Sequence, residues 1–167
     1  MKTTDQGFDP TKFQVVPRVL IFLFDSCERV LLIRGSDTKS RWPGRYNGLG
    51  GHVEANEDVI EAARRELREE AAIINVEIKL VGQIMINVSE KSGIALFIFR
   101  GIYDGEVISN SQEGYVEWKK ISELPSLPAV EDLQVLVKRT KNHRKGDSLF
   151  FGKYCFDENG KIERLWH

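Results

Sequence analysis

Runs of apolar, β-prone residues along the chain predict a series of strands. Residues 18–24 are almost continuously apolar, which indicates a strand covered on both faces. Asp25 and Ser26 turn the chain, and residues 29–34 form the expected hairpin partner. The same criteria predict further strands over residues 46–49, 76–88, 94–103, 115–119, 149–156 and 161–166.

Apolar residues at helical spacing predict two helices. The first follows Asn56, which is expected to cap it, and its apolar flank repeats every three or four residues. Pro125 and Pro128 exclude a helix interior between them, and Pro128 is expected as the first residue of the second helix. The apolar flank of the first helix is formed by Val59, Ile60, Ala63 and Leu67, and the buried stripe of the second by Val130, Leu133, Leu136 and Val137.

The order of these elements predicts an α+β fold, in which a mixed sheet carries helices on both faces. The chain has 167 residues, which is a common size for one domain with a real core. We therefore predict a single domain over residues 1–167, with the polar residues 1–12 as a flexible arm.

Composition and charge narrow the classes of function. The net charge of −1 argues against an extended nucleic-acid-binding surface, although it permits a small phosphorylated ligand. Cys27 and Cys155 have no zinc-site spacing, and two scattered thiols without a leader peptide suit a cytoplasmic protein. No apolar stretch approaches the ~20 residues of a membrane span. The oligomeric state stays open between monomer and homodimer.

The first predicted helix carries three glutamates on one face. Glu66, Glu69 and Glu70 fall within an arc of roughly 100°. Carboxylates placed this close repel one another, and a divalent cation such as Mg²⁺ reverses that repulsion. Such a cation beside phosphate groups is what the hydrolysis of a diphosphate bond needs. The alternative is a solvated helix whose glutamates form salt bridges with its arginines.

The wider spacing decides between these readings. Six positions within residues 50–73 carry glycine, glutamate or arginine at set distances from one another. The chance that a random sequence matches all six is roughly 10⁻⁷ per start position. This pattern resembles the box of the Nudix hydrolases, which cleave nucleoside diphosphates linked to another moiety. The order of strands on either side is also similar to the Nudix fold, so the resemblance spans most of the chain. The matching positions are Gly51, Glu57, Arg65, Glu66, Glu69 and Glu70.

The resemblance implies a Nudix-like α/β/α sandwich with a loop–helix–loop catalytic motif. It implies that the Gly50 carbonyl and the three glutamates hold Mg²⁺, for which Mn²⁺ is a possible substitute. Glu66 or a carboxylate from a later loop would orient or deprotonate the attacking water. Glu113 is the candidate loop carboxylate, and the alternative for it is an exposed loop residue. Gly51, Glu57 and Arg65 would have structural roles, with Glu57 beside Arg65 fixing the loop to the helix.

One position departs from the family pattern. The box normally ends with a glycine where this chain has Ala72. Either Ala72 adopts the left-handed conformation, at a cost of about 1 kcal/mol, or the helix continues to Asn75.

Residues 45–51 are similar to a segment of the branch that hydrolyses oxidised purine nucleoside triphosphates. By that resemblance Asn47 reads the base, together with the acidic pair Glu131 and Asp132 after Pro128. A carboxyl/carboxylate pair can read a purine edge because one member donates while the other accepts. Trp42 is a candidate for stacking on the base. Arg34, Lys39, Arg41 and Arg45 are candidates for phosphate contacts. The alternatives are a turn role for Asn47, helix-start electrostatics for the acidic pair, local packing for Trp42 and plain surface charge for the basic residues.

These features predict Mg²⁺-dependent hydrolysis of a nucleoside triphosphate to a monophosphate and pyrophosphate. An oxidised purine nucleotide such as 8-oxo-dGTP is the expected type of small-molecule substrate. One alternative is hydrolysis of an ADP-ribose-like compound or of capped RNA. The other is a Nudix module that binds a nucleotide without hydrolysing it.

Overall fold

A mixed β-sheet is the centre of the computed structural model, which describes residues 7, 9–36, 42–108 and 114–167. Within these residues the sheet has eight strands in the order β3-β2-β1-β5-β4-β7-β8, and β6 also pairs with β2. The predicted arm lies largely outside the described residues. The strands are β1 (Gln14–Phe24), β2 (Arg29–Gly35), β3 (Tyr46–Asn47), β4 (Ile78–Asn87), β5 (Ser92–Ile102), β6 (Gly114–Lys120), β7 (Phe150–Phe156) and β8 (Ile162–Trp166).

Two helices cover opposite faces of this sheet, as predicted. Helix α1 spans Val59–Ala71 and helix α2 spans Leu133–Asn142. Successive β1 residues point to opposite faces, so Ile21 packs in a cluster with Leu67 of α1, while its neighbour Phe22 packs with residues of α2. A 3₁₀ helix, Ile121–Ser126, which the apolar pattern did not predict, connects β6 to the segment before α2.

Parallel pairing explains where the helices fall along the chain. β1 runs parallel to β5, and β4 runs parallel to β7. Parallel partners need long crossover connections. Helix α1 lies in the connection between β1 and β5, and α2 lies in the connection between β4 and β7. The predicted C-terminal hairpin is confirmed as β7 and β8. None of the helices described is long and apolar enough to cross a bilayer.

The prediction that Asn56 caps α1 is wrong. Asp58 is the cap, and its Oδ1 accepts hydrogen bonds from the backbone N–H groups of Ile60 (2.8 Å) and Glu61 (2.9 Å). Glu61 returns the contact, because its Oε2 accepts from the Asp58 N–H at 2.8 Å. This reciprocal capping box satisfies the free N–H groups at the start of the helix. Asn56 lies two residues earlier, in a left-handed turn, and is not part of the box.

The prediction that the second helix begins at Pro128 is also wrong, because α2 begins at Leu133. Residues 128–130 instead run extended beside β3. The Tyr46 N–H donates to the Pro128 carbonyl at 2.9 Å, and the Val130 N–H donates to the Tyr46 carbonyl at 3.0 Å. These hydrogen bonds hold the segment in an extended conformation, so that the helix begins only after it. They also fix the position of the segment before α2 relative to β3. The predicted apolar stripe is nevertheless buried throughout.

The end of α1 settles the question raised by Ala72. Ala72 adopts the left-handed conformation, with φ 55° and ψ 24°. Its N–H donates to the Arg68 carbonyl, and the Ile73 N–H donates to the Leu67 carbonyl, each at 3.1 Å. The bond from Ala72 to Arg68 is that of the αL capping motif, formed here by an alanine instead of the usual glycine. The helix therefore ends at Ala71, and the alternative of an extension to Asn75 is wrong.

Candidate active site

A cleft of about 590 Å³ brings together the residues of the glutamate box and those expected to contact a base. The loop before α1 and the charged face of α1 contribute Gly50, Gly51, Glu66, Glu69 and Glu70. Residues from the segments around β3 and α2, together with apolar side chains of β4 and β5, complete it. These further lining residues include Trp42, Arg45, Asn47, Val130, Asp132, Ile86, Ile94 and Leu96.

The two glycines allow the glutamates to approach the loop closely. Glu66 and Glu70 are buried, with 8% and 3% of their surface exposed. The Gly50 N–H donates to Glu70 Oε2 at 2.8 Å. A Cβ atom at Gly51 would lie only 2.3 Å from Glu66 Oε1, so a side chain there would displace the carboxylate. The loop backbone therefore sets the positions of both carboxylates.

Arg65 fastens the loop to the helix through its guanidinium group. Its Nε and Nη2 donate to the two carboxylate oxygens of Glu57 at 3.1 and 2.8 Å, and Nη2 also donates to the His52 carbonyl at 2.9 Å. The contact with Glu57 is the main cause that raises the pKa of Arg65, and Glu66 and Glu69 add to it. The same ion pair, with the Glu54 N–H at 2.7 Å, lowers the pKa of Glu57. Glu57 therefore joins residues 52–57 to α1.

The guanidinium also contacts two of the glutamates that line the cleft. Nη1 of Arg65 donates to Glu66 Oε1 at 2.9 Å and to Glu69 Oε2 at 3.2 Å. One positive group thus contacts three carboxylates, counting Glu57, while Glu70 adds a fourth carboxylate to the same region. This charge balance favours a further cation among them.

The donor chemistry of these residues fits a hard divalent cation, although the side chains are not gathered around one. In the residues the structure describes, no three Asp, Glu, His or Cys side chains converge closely enough to hold a metal ion. The contacts above give the reason, because Arg65 holds Glu66 and Glu69 while the Gly50 N–H holds Glu70. Three carboxylates on one cleft are the oxygen ligands that Mg²⁺ prefers. A cation shared by all three would need their carboxylates to lie closer together than they do here.

The residues expected to contact the base or the phosphates separate into two groups. Asn47, Trp42 and Arg45 line the cleft, and Asn47 Oδ1 accepts from the Gly48 N–H at 2.9 Å. Trp42 is 51% exposed, which leaves its ring accessible. Arg34 points elsewhere, with its Nε donating to the Gly44 carbonyl at 3.2 Å, and its substrate contact stays a prediction. Lys39, Arg41 and Glu113 lie outside the described residues.

The acidic pair at the start of α2 is divided between two environments. Asp132 lines the cleft, whereas Glu131 faces solvent and accepts a hydrogen bond from Arg164 Nη2 at 2.8 Å. Burial raises the pKa of the Asp132 carboxyl, and this outweighs the opposing effects of Arg164 and Tyr154. Asp132 is therefore placed to meet a ligand in the cleft, and the contact predicted for Glu131 stays a prediction.

Sequence reasoning missed the apolar wall of the cleft. Ile86 of β4 pairs directly with Ile94 of β5, and both line the cleft with Leu96. All three are partly buried, so their apolar character alone looks the same as that of core residues. Their place in the cleft follows from the pairing of β4 with β5 in the folded sheet, which no local pattern in the sequence marks.

Comparison with known proteins places this geometry in a family. The model of the NUDIX domain matches residues 15–146. An oxidized purine nucleoside triphosphate hydrolase from Danio rerio is 34% identical over 99 residues, which are 58% of this chain and 62% of that protein. An uncharacterized Nudix hydrolase, YvcI from Bacillus subtilis, is 30% identical over 116 residues, covering 66% of this chain and 70% of the relative.

The fold agrees with a solved structure over nearly its full length. The crystal structure of a MutT protein from Bacillus halodurans superposes with a TM-score of 0.74 and 25% identity, covering 91% of this chain and 97% of that one. The match of the family model includes the glutamate helix, its loop and the start of α2. The chain therefore belongs to the Nudix hydrolase family.

Proposed function

We propose that this protein hydrolyses a nucleoside triphosphate to a nucleoside monophosphate and pyrophosphate, with Mg²⁺ as cofactor. The observation that carries the proposal is the shared cleft, because Glu66, Glu69 and Glu70 line the same cavity as Asn47 and Asp132. A diphosphate bond held at the carboxylates would leave the base beside Asn47 and Asp132. The name of the Danio rerio relative supports this class of substrate.

The three glutamates and the Gly50 carbonyl are the groups that would hold Mg²⁺, and Mn²⁺ is expected to substitute. When bound, the ion would neutralise phosphate oxygens and lower the pKa of the attacking water. Glu66 is our first candidate to accept the proton of that water, and Glu113 is the second. Water adds to one phosphorus, the bond from that phosphorus to the bridging oxygen breaks, and the departing phosphate fragment keeps the electron pair on that oxygen.

The rest of the cleft would position the nucleotide. Arg45 is placed to contact phosphate oxygens, and Trp42 presents an accessible ring for stacking. The Asn47 amide offers both a donor and an acceptor to a base edge. Asp132, whose pKa is raised by burial, can remain protonated and act as a donor. We infer an oxidised purine nucleotide, such as 8-oxo-dGTP, as the preferred substrate.

The test is hydrolysis of a nucleotide panel in the presence of Mg²⁺, with pyrophosphate and phosphate release measured separately. We expect pyrophosphate and monophosphate in equal amounts. The double variant Glu69→Gln, Glu70→Gln should lower kcat/KM by at least about 10²-fold, because metal ligands are lost. Glu77→Gln is the matched control, since Glu77 is exposed and outside the cleft. Full activity of the double variant would overturn the metal assignment.

The same panel distinguishes the alternatives. Turnover restricted to ADP-ribose or capped RNA would keep the hydrolase class and replace the substrate. Saturable nucleotide binding without turnover of any compound would identify a non-hydrolytic binding module.

A further inference from the structure

Two buried polar groups of the C-terminal hairpin lie behind the cleft, next to Asp132. Tyr154 of β7 and Arg164 of β8 are directly paired across the hairpin. Tyr154 is 1% exposed. Within the described part of the chain, neither the Tyr154 hydroxyl nor Arg164 Nε has a hydrogen-bond partner. Buried polar groups without hydrogen-bond partners are uncommon, so we expect a hydrogen-bond acceptor close to these two donors.

The surrounding contacts fix both donors in place. Arg164 Nη2 donates to Glu131 at 2.8 Å, and the guanidinium carbon lies 5.7 Å from the centre of the Tyr154 ring. The Tyr154 ring meets the Trp166 ring edge-on at 5.7 Å between centroids. Arg139 lies over the other side of this group, 4.0 Å from the Trp166 ring. The donors are therefore parts of a packed layer and not mobile surface groups.

Asp132 is the acceptor that this layer faces. Its carboxyl group makes no capping hydrogen bond with α2, although it precedes the first residue of that helix. Burial is the main cause that raises the pKa of this carboxyl group, and Glu131 adds to it, while its own backbone N–H, Arg164 and Tyr154 favour the ionised form. Asp132 also lines the cleft. The carboxyl group thus stands between the cleft and two donors of the hairpin.

We propose that Tyr154, together with Arg164, is a positioning residue that orients the Asp132 carboxyl group towards the base edge of the substrate. The inference rests on the proposed function, because it presupposes that Asp132 contacts the base of a nucleotide. It assigns part of the base preference to the C-terminal hairpin, which is separate from the glutamate box. A small rotation of the Asp132 side chain brings one carboxyl oxygen to the Tyr154 hydroxyl and leaves the other for the ligand. The hairpin then determines which purines bind well.

The first test compares kcat/KM for an oxidised purine triphosphate with that for the unmodified nucleotide. Tyr154→Phe should reduce this ratio by about fivefold to tenfold, the size expected for one ordinary hydrogen bond. The loss should appear mainly as a higher KM for the preferred substrate. Tyr103→Phe is the matched control, because it removes a hydroxyl that binds the Glu106 carbonyl away from the cleft.

A double-mutant cycle shows whether Tyr154 acts through Asp132. If it does, Tyr154→Phe should change the ratio little in a chain that already carries Asp132→Ala, which has no acceptor left for the hydroxyl. Independent, multiplying effects of the two substitutions would overturn the inference. So would a ratio for Tyr154→Phe equal to that of the wild-type protein.

A second measurement does not depend on turnover. NMR titration of the Asp132 carboxyl in the ligand-free protein should give a higher pKa in Tyr154→Phe than in wild type, because a neighbouring hydroxyl that favours the ionised form is removed. Tyr103→Phe should titrate as wild type. An unchanged pKa in Tyr154→Phe overturns the inference even if hydrolysis is observed. Absence of all hydrolysis overturns the proposed function, while the titration still decides whether Tyr154 acts on Asp132.

Discussion

At the residue scale, the two glycines of the cleft meet different neighbours and have different roles. Gly50 has φ +137°, and a Cβ there would lie 2.2 Å from the Val19 carbonyl oxygen. This oxygen belongs to the β1 backbone and cannot move without disturbing the sheet. A Cβ at Gly51 would instead meet the Glu66 carboxylate, which is the end of a flexible side chain. A glycine at position 50 is thus needed to avoid a clash with the backbone of β1, whereas a glycine at position 51 is needed to leave room for the Glu66 carboxylate.

This difference predicts separable effects of two alanine substitutions. Gly50→Ala should lower the free energy of unfolding by about 1–3 kcal/mol through backbone strain. Gly51→Ala should lower it by less than about 1 kcal/mol, yet reduce kcat/KM about 10–100-fold by displacing Glu66. Urea unfolding and kinetics on the same preparations measure both quantities. Equal stability losses in the two variants would contradict the assignment.

Ala72 gives a second prediction at this scale. Because it holds a left-handed conformation that favours glycine, Ala72→Gly should raise the free energy of unfolding by up to about 1 kcal/mol. For a chain of this length that is about 2–4 °C in Tm. Ala71→Gly, one residue earlier and inside α1, should be destabilising. A lower Tm for Ala72→Gly would show that alanine does not strain this left-handed helix cap.

At the element scale, the loop before α1 is joined to the helix mainly by a charged contact. Glu57 accepts two hydrogen bonds from Arg65, and this contact lowers its pKa below the ordinary 4.5. A lowered folded-state pKa contributes stability above pH 4.5, and that contribution is lost as pH falls through the folded-state pKa. The connection is therefore strongest at neutral pH.

Replacing Glu57 should make the stability of the protein less dependent on pH. At pH 7 Glu57→Gln should unfold at lower urea than wild type, and the difference should shrink as the pH falls below 4.5. Glu77→Gln, outside the loop, should follow the wild-type curve. If the difference in stability between Glu57→Gln and wild type stays constant from pH 7 to pH values below 4.5, the ionised state of Glu57 does not contribute to the stability of this loop.

The sequence predicted those elements whose signals are local. The strands, α1 and the terminal hairpin follow from runs and periodicity within a few residues. The true cap of α1 also had a local signal. Asp58 and Glu61 have the spacing of a capping box, and Asn56 has no such partner. The start of α2 had no such signal. Residues 128–130 pair with Tyr46, more than eighty positions earlier, and this pairing overrides the helix-start preference of Pro128.

The same contrast holds for the candidate site. The glutamates and Arg65 are neighbours on one helix, so their spacing alone places them on a common face. Asp132 meets Tyr154 and Arg164 only because β7 runs parallel to β4 and β8 folds back on it. No local pattern marks these contacts. The residues proposed to bind the metal were therefore predictable, and those proposed to orient Asp132 were not.

At the scale of the whole molecule, one sheet separates two hydrophobic clusters. Leu67 of α1 lies in the first cluster and Leu136 of α2 in the second, and each is 1% exposed. Adjacent residues of β1 contribute to different clusters, so the loss of either would uncover one face of the same strand. The cleft draws its carboxylates from the α1 side and Asp132 from the α2 side. Its geometry thus depends on both clusters being intact.

This arrangement predicts that the chain unfolds as one cooperative unit, in agreement with the single domain expected from its length. Leu67→Ala and Leu136→Ala should each lower the free energy of unfolding by about 2–5 kcal/mol. Because the two side chains lie in different clusters on opposite faces of the sheet, the double variant should lose the sum within about 0.5 kcal/mol. Urea unfolding followed by tryptophan fluorescence and circular dichroism should give one coincident transition in each variant. Two transitions, with only one displaced by each substitution, would mean that the clusters unfold independently and that the sheet does not couple the two sides of the cleft.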